Sequence, residues 1–138
     1  MKYLLDTCVL SEFLKKQYNE DVISWVDRQI EETLFLSVLS IGEIRKGVAR
    51  LPRSKRKTEL ADWLDDVVVR YNARLLPVTL ETAKTWGDLI ATLEPRGRVL
   101  PLIDSLLAAT ALEHDLTIVT RNDTDFTLTG AKVLNIWS

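Results

Sequence analysis

The chain is poor in the residues on which many active sites are built. It has one cysteine, Cys8, one histidine, His114, and five glycines. A lone cysteine allows no internal disulfide and suits a reducing cytoplasm. With a single histidine beside it, neither a zinc centre nor a Cys–His nucleophile has support. The glycines, at 42, 47, 87, 97 and 130, form neither a P-loop nor a GxGxxG turn, which argues against a nucleotide hydrolase or a dehydrogenase. No GxSxG nucleophile elbow is present. No apolar run approaches the ~18–20 residues of a membrane span. Asp6 and Glu12 break the first apolar stretch, so no signal peptide is expected.

What remains is an ordinary globular balance, with 46% hydrophobic and 28% charged residues in a chain of 138. That length supports one domain, residues 1–138, with a real core. Net charge is −2, yet residues 45–57 carry seven bases (Arg45, Lys46, Arg50, Arg53, Lys55, Arg56 and Lys57) and no acid. A near-neutral total therefore conceals a basic rim, while acids punctuate the ends of apolar segments.

Hydrophobic spacing predicts strands at Lys2–Asp6, Leu34–Ser37, Leu75–Val78, Thr117–Thr120 and Lys132–Ile136. It predicts helices at Val9–Lys16, Glu20–Glu32, Ser40–Leu51, Lys55–Tyr71, Leu80–Leu93 and Leu102–His114. Pro52 with its basic neighbours and Pro95–Pro101 read as connections, and Arg121–Phe126 as a polar turn. Alternating strands and helices imply an α/β fold with a parallel sheet and helices on both faces. Ligands bind such sheets outside the carboxyl ends of the strands. Attention falls on the residues that follow Leu5, Ser37 and Val119.

Acids stand there, each with an ordinary structural explanation. Asp6 follows the first strand and suits a helix N-cap. Ser40 and Glu43 have capping-box spacing, with Leu39 and Ile44 as a hydrophobic staple. Asp104 suits the first turn of a helix, although its surroundings are almost wholly apolar. Asn122, Asp123 and Asp125 suit a turn. Taken together, Asp6, Glu43 and Asp125 converge on one sheet edge, with Asp104 facing them. Carboxylates so close cannot all remain ionised without a partner. A hard dication, Mg²⁺ or Mn²⁺, resolves the conflict and would assist phosphodiester hydrolysis. The bases of 45–57 could hold the polyphosphate strand, or could be a solvated helix end and loop. His114 is expected to meet the carbonyls at the end of its helix. Four tryptophans, spread one per segment, read as core or interface residues.

Four segments in order, "LLDTCVLSEF", "SVLSIGEIRKGV", "LPLIDSLLAATALEHDLTIVTRNDTDF" and "VLNIWS", resemble PIN-domain proteins. More narrowly they resemble the VapC toxins of bacterial type II toxin–antitoxin pairs, including the FitB-like branch. The resemblance spans the whole chain. It implies a three-layer α/β/α sandwich around a small parallel sheet, and an acidic quartet that binds Mg²⁺ or Mn²⁺ and cleaves RNA. Asp6, Glu43 and Asp104 match the first three acids. Asp125 matches the commonest fourth; some relatives instead carry Asp at the place of Asn122, and Asp123 could substitute. Thr7 and Thr120 match hydroxyls that line the same pocket. Cys8 departs from the pattern, since asparagine is usual there and a thiol cannot reproduce an amide's hydrogen bonds. The resemblance also implies a homodimer, possibly a dimer of dimers with a small VapB-type antitoxin. The antitoxin's tail would pack in a groove that helices 20–32 and 55–71 are amphipathic enough to build.

Two readings of different class follow. One is a metal-dependent endoribonuclease toxin. The other is a catalytically weak module that mainly partners an antitoxin in an operator-binding complex. A receiver-like phosphoacceptor fits poorly, because Arg121 rather than lysine follows the late strand.

Overall fold

The structure is a computed structural model that describes residues 1–137. Only the Ser138 end of the closing "VLNIWS" segment lies outside the described residues. Five strands, β1 (Tyr3–Leu5), β2 (Leu34–Ser37), β3 (Leu75–Leu76), β4 (Thr117–Val119) and β5 (Val133–Leu134), form one sheet. All pairings are parallel and the order is β3-β2-β1-β4-β5. β1 is central, with Leu4 opposite Phe35 of β2 and Ile118 of β4.

Among the described residues seven helices surround the sheet: α1 (Thr7–Glu12), α2 (Glu20–Arg28), α3 (Val38–Ala49), α4 (Lys55–Tyr71), α5 (Leu80–Leu93), α6 (Leu102–His114) and α7 (Asp123–Thr127). The two-residue period of the strands divides the core. Leu4 and Ile118 point to a cluster with Leu89, Leu93, Leu107 and Phe126, formed by α5, α6 and α7. Leu5, Val119, Leu34 and Leu36 point the other way, onto Val9, Val22, Ile44 and Leu64 of α1 to α4. This is the three-layer sandwich expected from the sequence. No helix among the described residues is long and apolar enough to cross a membrane.

Local chemistry sets the helix starts. Asn19 Oδ1 accepts from Asp21 N and Val22 N to begin α2. Thr79 and Thr82 form a reciprocal capping box at α5, and Thr82 Oγ1 also donates to Glu113 Oε1 at 2.6 Å, joining α5 to α6. His114 faces Glu113, with Nε2 3.5 Å from Oε1, instead of the carbonyls expected for it.

Three expectations need correction at the edge that carries the acids. First, α1 begins two residues early, at Thr7 rather than Val9, because Asp6 caps it directly. Second, α3 begins at Val38, capped by Ser37, whose hydroxyl accepts from Leu39 N. Ser40 is thus inside the helix, and Ser40 with Glu43 is no capping box. Third, the polar turn after β4 is a short helix, α7. Its anchor is Phe126, which is fully buried beneath it. Glu20–Glu32 is also shorter than expected, ending at Arg28 before a single 3₁₀ turn at Glu31–Thr33.

Phe126→Ala should destabilise the fold by about 3–5 kcal/mol, the usual cost of emptying an aromatic site. Urea denaturation should show it as a lower midpoint. A midpoint within error of wild type would mean that α7 is not anchored by this ring.

Candidate active site

β1 ends at Leu5, and Asp6 extends its ladder by one bond, from Asp6 N to Val119 O at 3.0 Å. The Asp6 carboxylate sits at the carboxyl end of the central strand with 7% exposure. Its two oxygens do different work. Oδ1 accepts from Thr7 N at 2.7 Å, which caps α1. Oδ2 accepts from Thr120 Oγ1 at 2.7 Å and from the Cys8 thiol at 3.5 Å. Capping and the expected site role therefore fall to one residue. Thr120, fully buried just past β4, also accepts from Asn122 N at 2.9 Å. One hydroxyl thus fixes both Asp6 and the entry to α7.

Glu43 is reached from the other side. Thr7 Oγ1 donates to Glu43 Oε1 at 2.6 Å and lies 2.9 Å from the Oγ of buried Ser40. Residues three apart share a helix face. The Ser40–Glu43 spacing that resembled a cap instead turns both side chains toward Thr7.

Asp104 occupies the first turn of α6, whose N-cap position, Pro101, offers no side-chain bond. No hydrogen bond or cation from a described residue meets its half-buried carboxylate. Its pKa rises from 3.8 to about 6, first through burial and then through the negative charges of Asp6, Glu43 and Asp125. Four acids therefore share one field. The fourth is Asp125. Asp123 is turned away: its Oδ1 accepts from Thr124 N at 2.9 Å and its Oδ2 from Asn135 Nδ2 at 3.3 Å. Asn122 is exposed, and its side chain caps nothing.

All four donors are carboxylates, the chemistry that suits a hard divalent ion. Among the described residues no three potential ligands close into a ready-made cage. An open arrangement is compatible with Mg²⁺, which keeps several waters and takes one or two carboxylates. The uncompensated Asp104 is the local sign that positive charge is missing from the protein itself.

Cys8 lies against the acids, with Sγ 3.9 Å from Thr120 Oγ1. Burial, and then the charge of Asp6, push its pKa up to about 11. The group beside Asp6 is thus a neutral thiol that donates weakly.

The bases of 45–57 separate into two sets. Arg56 donates to Leu14 O at 2.7 Å, and Lys57 donates to Ala49 O at 3.1 Å and Leu51 O at 3.0 Å. These two fasten the start of α4 to the ends of α1 and α3. Arg45, Lys46, Arg50 and Arg53 are exposed without a partner among the described residues, and Lys55 lies 3.9 Å from Glu59.

Sequence reasoning missed Glu12 as a buried group. Burial opposes its ionisation, but bonds from Lys15 at 2.8 Å, Asn19 N at 3.0 Å and Trp137 Nε1 at 3.4 Å hold its pKa below the usual glutamate value. The only available signal was a glutamate on the apolar side of a short helix.

A family model described as "PIN domain" matches residues 3–132. The chain belongs to the PIN family. This PIN domain is 35% identical over 135 residues to VapC ribonuclease Y4jK of Sinorhizobium fredii, covering 97% of this chain and 96% of that protein. It is also 35% identical to the toxin FitB of Neisseria gonorrhoeae, over 97% of each. The crystal structure of FitAcB from Neisseria gonorrhoeae matches with a TM-score of 0.93, at 34% identity and 98% coverage of both chains. FitAB bound to an IR36 DNA fragment matches at 0.94 and 33%, covering 99% of this chain and 96% of that one.

Two measurements follow from the electrostatics. In metal-free protein the folded state holds the Asp104 proton more tightly than the unfolded chain does. Stability should therefore fall as pH rises from about 4 to about 6, and then level off. A displacement from 3.8 to about 6 corresponds to about 3 kcal/mol, which solvent around a half-exposed group screens to on the order of 1 kcal/mol. In EDTA at pH 8, Asp104→Asn should thus raise Tm by a few degrees, with the gain vanishing near pH 4. An Asn variant no more stable at pH 8 would contradict the shared field. For Cys8, iodoacetamide alkylation at pH 8 should run about a hundredfold slower in the folded protein than in urea, following the thiolate fraction. Equal rates would show a normal thiol.

Proposed function

We propose that this PIN domain is a metal-dependent endoribonuclease and the toxin of a type II toxin–antitoxin pair. The observation that carries the reading is the meeting of Asp6, Glu43, Asp104 and Asp125 in one field at the carboxyl edge of the sheet, with Asp104 uncompensated. The VapC and FitB names of its relatives support the same reading.

In this reading Asp6 and Asp104 hold the principal Mg²⁺ or Mn²⁺, Glu43 holds it or orients the attacking water, and Asp125 assists through water or a second ion. The ion would polarise a phosphoryl oxygen and lower the pKa of water at neutral pH. The chain's own residues set the orientation. Thr120 and Thr7 N fix the Asp6 carboxylate from opposite sides, and the Thr7 hydroxyl fixes Glu43. The unpaired charges of Arg45, Lys46, Arg50 and Arg53, with Lys55, favour a phosphate backbone near Glu43. Arg56 and Lys57 act on it only through the scaffold.

The partner is a small VapB-type antitoxin. A groove of about 270 Å³ lies between α1, α2 and α4, lined by Leu10, Phe13, Val26, Trp63 and Val67. Asp27, Gln29, Glu31 and Arg70 also line it, making a mixed recess that an antitoxin segment with apolar and charged side chains would fill. The similarity to a DNA-bound FitAB complex favours a second role, in which the toxin–antitoxin pair, as a homodimer or dimer of dimers, binds operator DNA.

Purified protein should cleave RNA with Mg²⁺ and stop in EDTA. Asp6→Asn should lose at least a hundredfold in rate, because it removes a ligand that would hold the cation stabilising the reacting phosphate, while keeping its circular dichroism. It should also abolish growth arrest on induction. Full cleavage by Asp6→Asn, or cleavage indifferent to EDTA, would exclude this site. Antitoxin and operator binding without any RNA cleavage would favour the non-catalytic role.

A further inference from the structure

A second recess opens next to the acids. It measures about 370 Å³ and lies between α1, α3 and the start of α4. Thr7 and Glu43 are among its lining residues, so it adjoins the acidic site. Leu14, Leu51 and Leu60 make its apolar walls. Lys46 stands on its lining, exposed and without a partner among the described residues, and the unpaired Arg50 follows one helical turn later.

We propose that this recess receives a single base of the RNA strand, next to the phosphate held at the acids. The inference rests on the ribonuclease reading and adds a base subsite to it. Three observations carry it. The charges suit a strand: the recess has Glu43 of the acidic site on its lining and, three residues on, the unpaired ammonium of Lys46 for a neighbouring phosphate. The walls are apolar and suit the face of a base, which stacks on apolar as well as aromatic side chains. The recess is also fixed in shape, because Arg56 bonds Leu14 O and Lys57 bonds Ala49 O and Leu51 O, tying all three walls together. Gly47 keeps the floor clear: a Cβ built there meets nothing within 4 Å. Gly47 is a lining residue with open space at its Cβ, so a longer side chain there is expected to narrow the recess. Leaving glycine costs helix α3 nothing, since glycine is the poorer helix former by about 1 kcal/mol.

The test uses the full chain and a short fluorescent RNA selected for binding in EDTA. Binding is followed by anisotropy in EDTA, and cleavage is measured separately in Mg²⁺. Gly47→Leu should weaken binding roughly tenfold or more, the scale of one lost base contact. When an abasic residue is moved stepwise along that RNA, one position should lose a similar factor with wild-type protein. Combining the two should bring little further loss, because both remove the same contact. Gly47→Ala, which fills little of the recess, should bind nearly as wild type and controls for the helix. Wild-type affinity in Gly47→Leu overturns the proposal, as do losses that simply add. So does an unchanged RNA affinity accompanied by weaker antitoxin binding, which would give the recess to a protein segment. The Mg²⁺ arm judges the ribonuclease reading by itself: failure to cleave would overturn that reading, while the EDTA arm still decides whether a base enters the recess.

Discussion

The structure depends on one divided carboxylate. Asp6 stands where the central strand becomes a helix, and its two oxygens answer different demands. One completes the backbone of α1, and the other receives Thr120 from the neighbouring strand. Burying a charge at this depth is costly without such partners. The bonds satisfy both carboxylate oxygens at the edge of the apolar core. Asp6 also acts electrostatically on Asp104, which has no partner of its own among the described residues. The repulsion that results is tolerable only where water or a cation can reach it, which is why the acids lie at the rim of the sheet and not beneath it.

Around this point the packing is asymmetric. α5 and α6 clamp each other through Thr82 and Glu113, and present Asp104 on the first turn of an apolar helix. On the opposite face, α1, α3 and α4 are joined through backbone carbonyls by Arg56 and Lys57. Each face contributes acids to the rim, and the sheet keeps the two contributions at a set distance. The basic stretch thus combines a structural joint with a free charged surface, two uses that composition alone cannot separate.

Much of this was legible in the sequence. The three long helices α4, α5 and α6 were delimited by hydrophobic spacing, and the sheet followed from the alternation of elements. Asp6, Glu43 and Asp104 were singled out because they follow strands or open a helix. The failures share a cause: a polar residue near an element end has several local uses, and tertiary packing selects among them. Ser37 and Ser40 were both plausible caps, and the one at the strand end prevailed. "NDTD" suits a turn as well as a first helical turn, and the burial of Phe126 decided for helix. Once α7 is helical, Asp123 and Asp125 lie about 200° apart around its axis. They cannot serve the same place, a distinction that no reading of the segment as a turn could make.

The joints between strands and helices have a consequence for how such a chain can vary. Ser37 is both the last residue of β2 and the cap of α3, so no loop separates them. Asp6 likewise stands alone between β1 and α1. A residue inserted at either joint has no slack to absorb it. It would turn the following helix by about 100° relative to its strand, carrying Glu43 or Thr7 off the rim while leaving every side chain chemically intact. Substitution can tune this site, but length at its joints is fixed. The connections free to lengthen are those far from the rim.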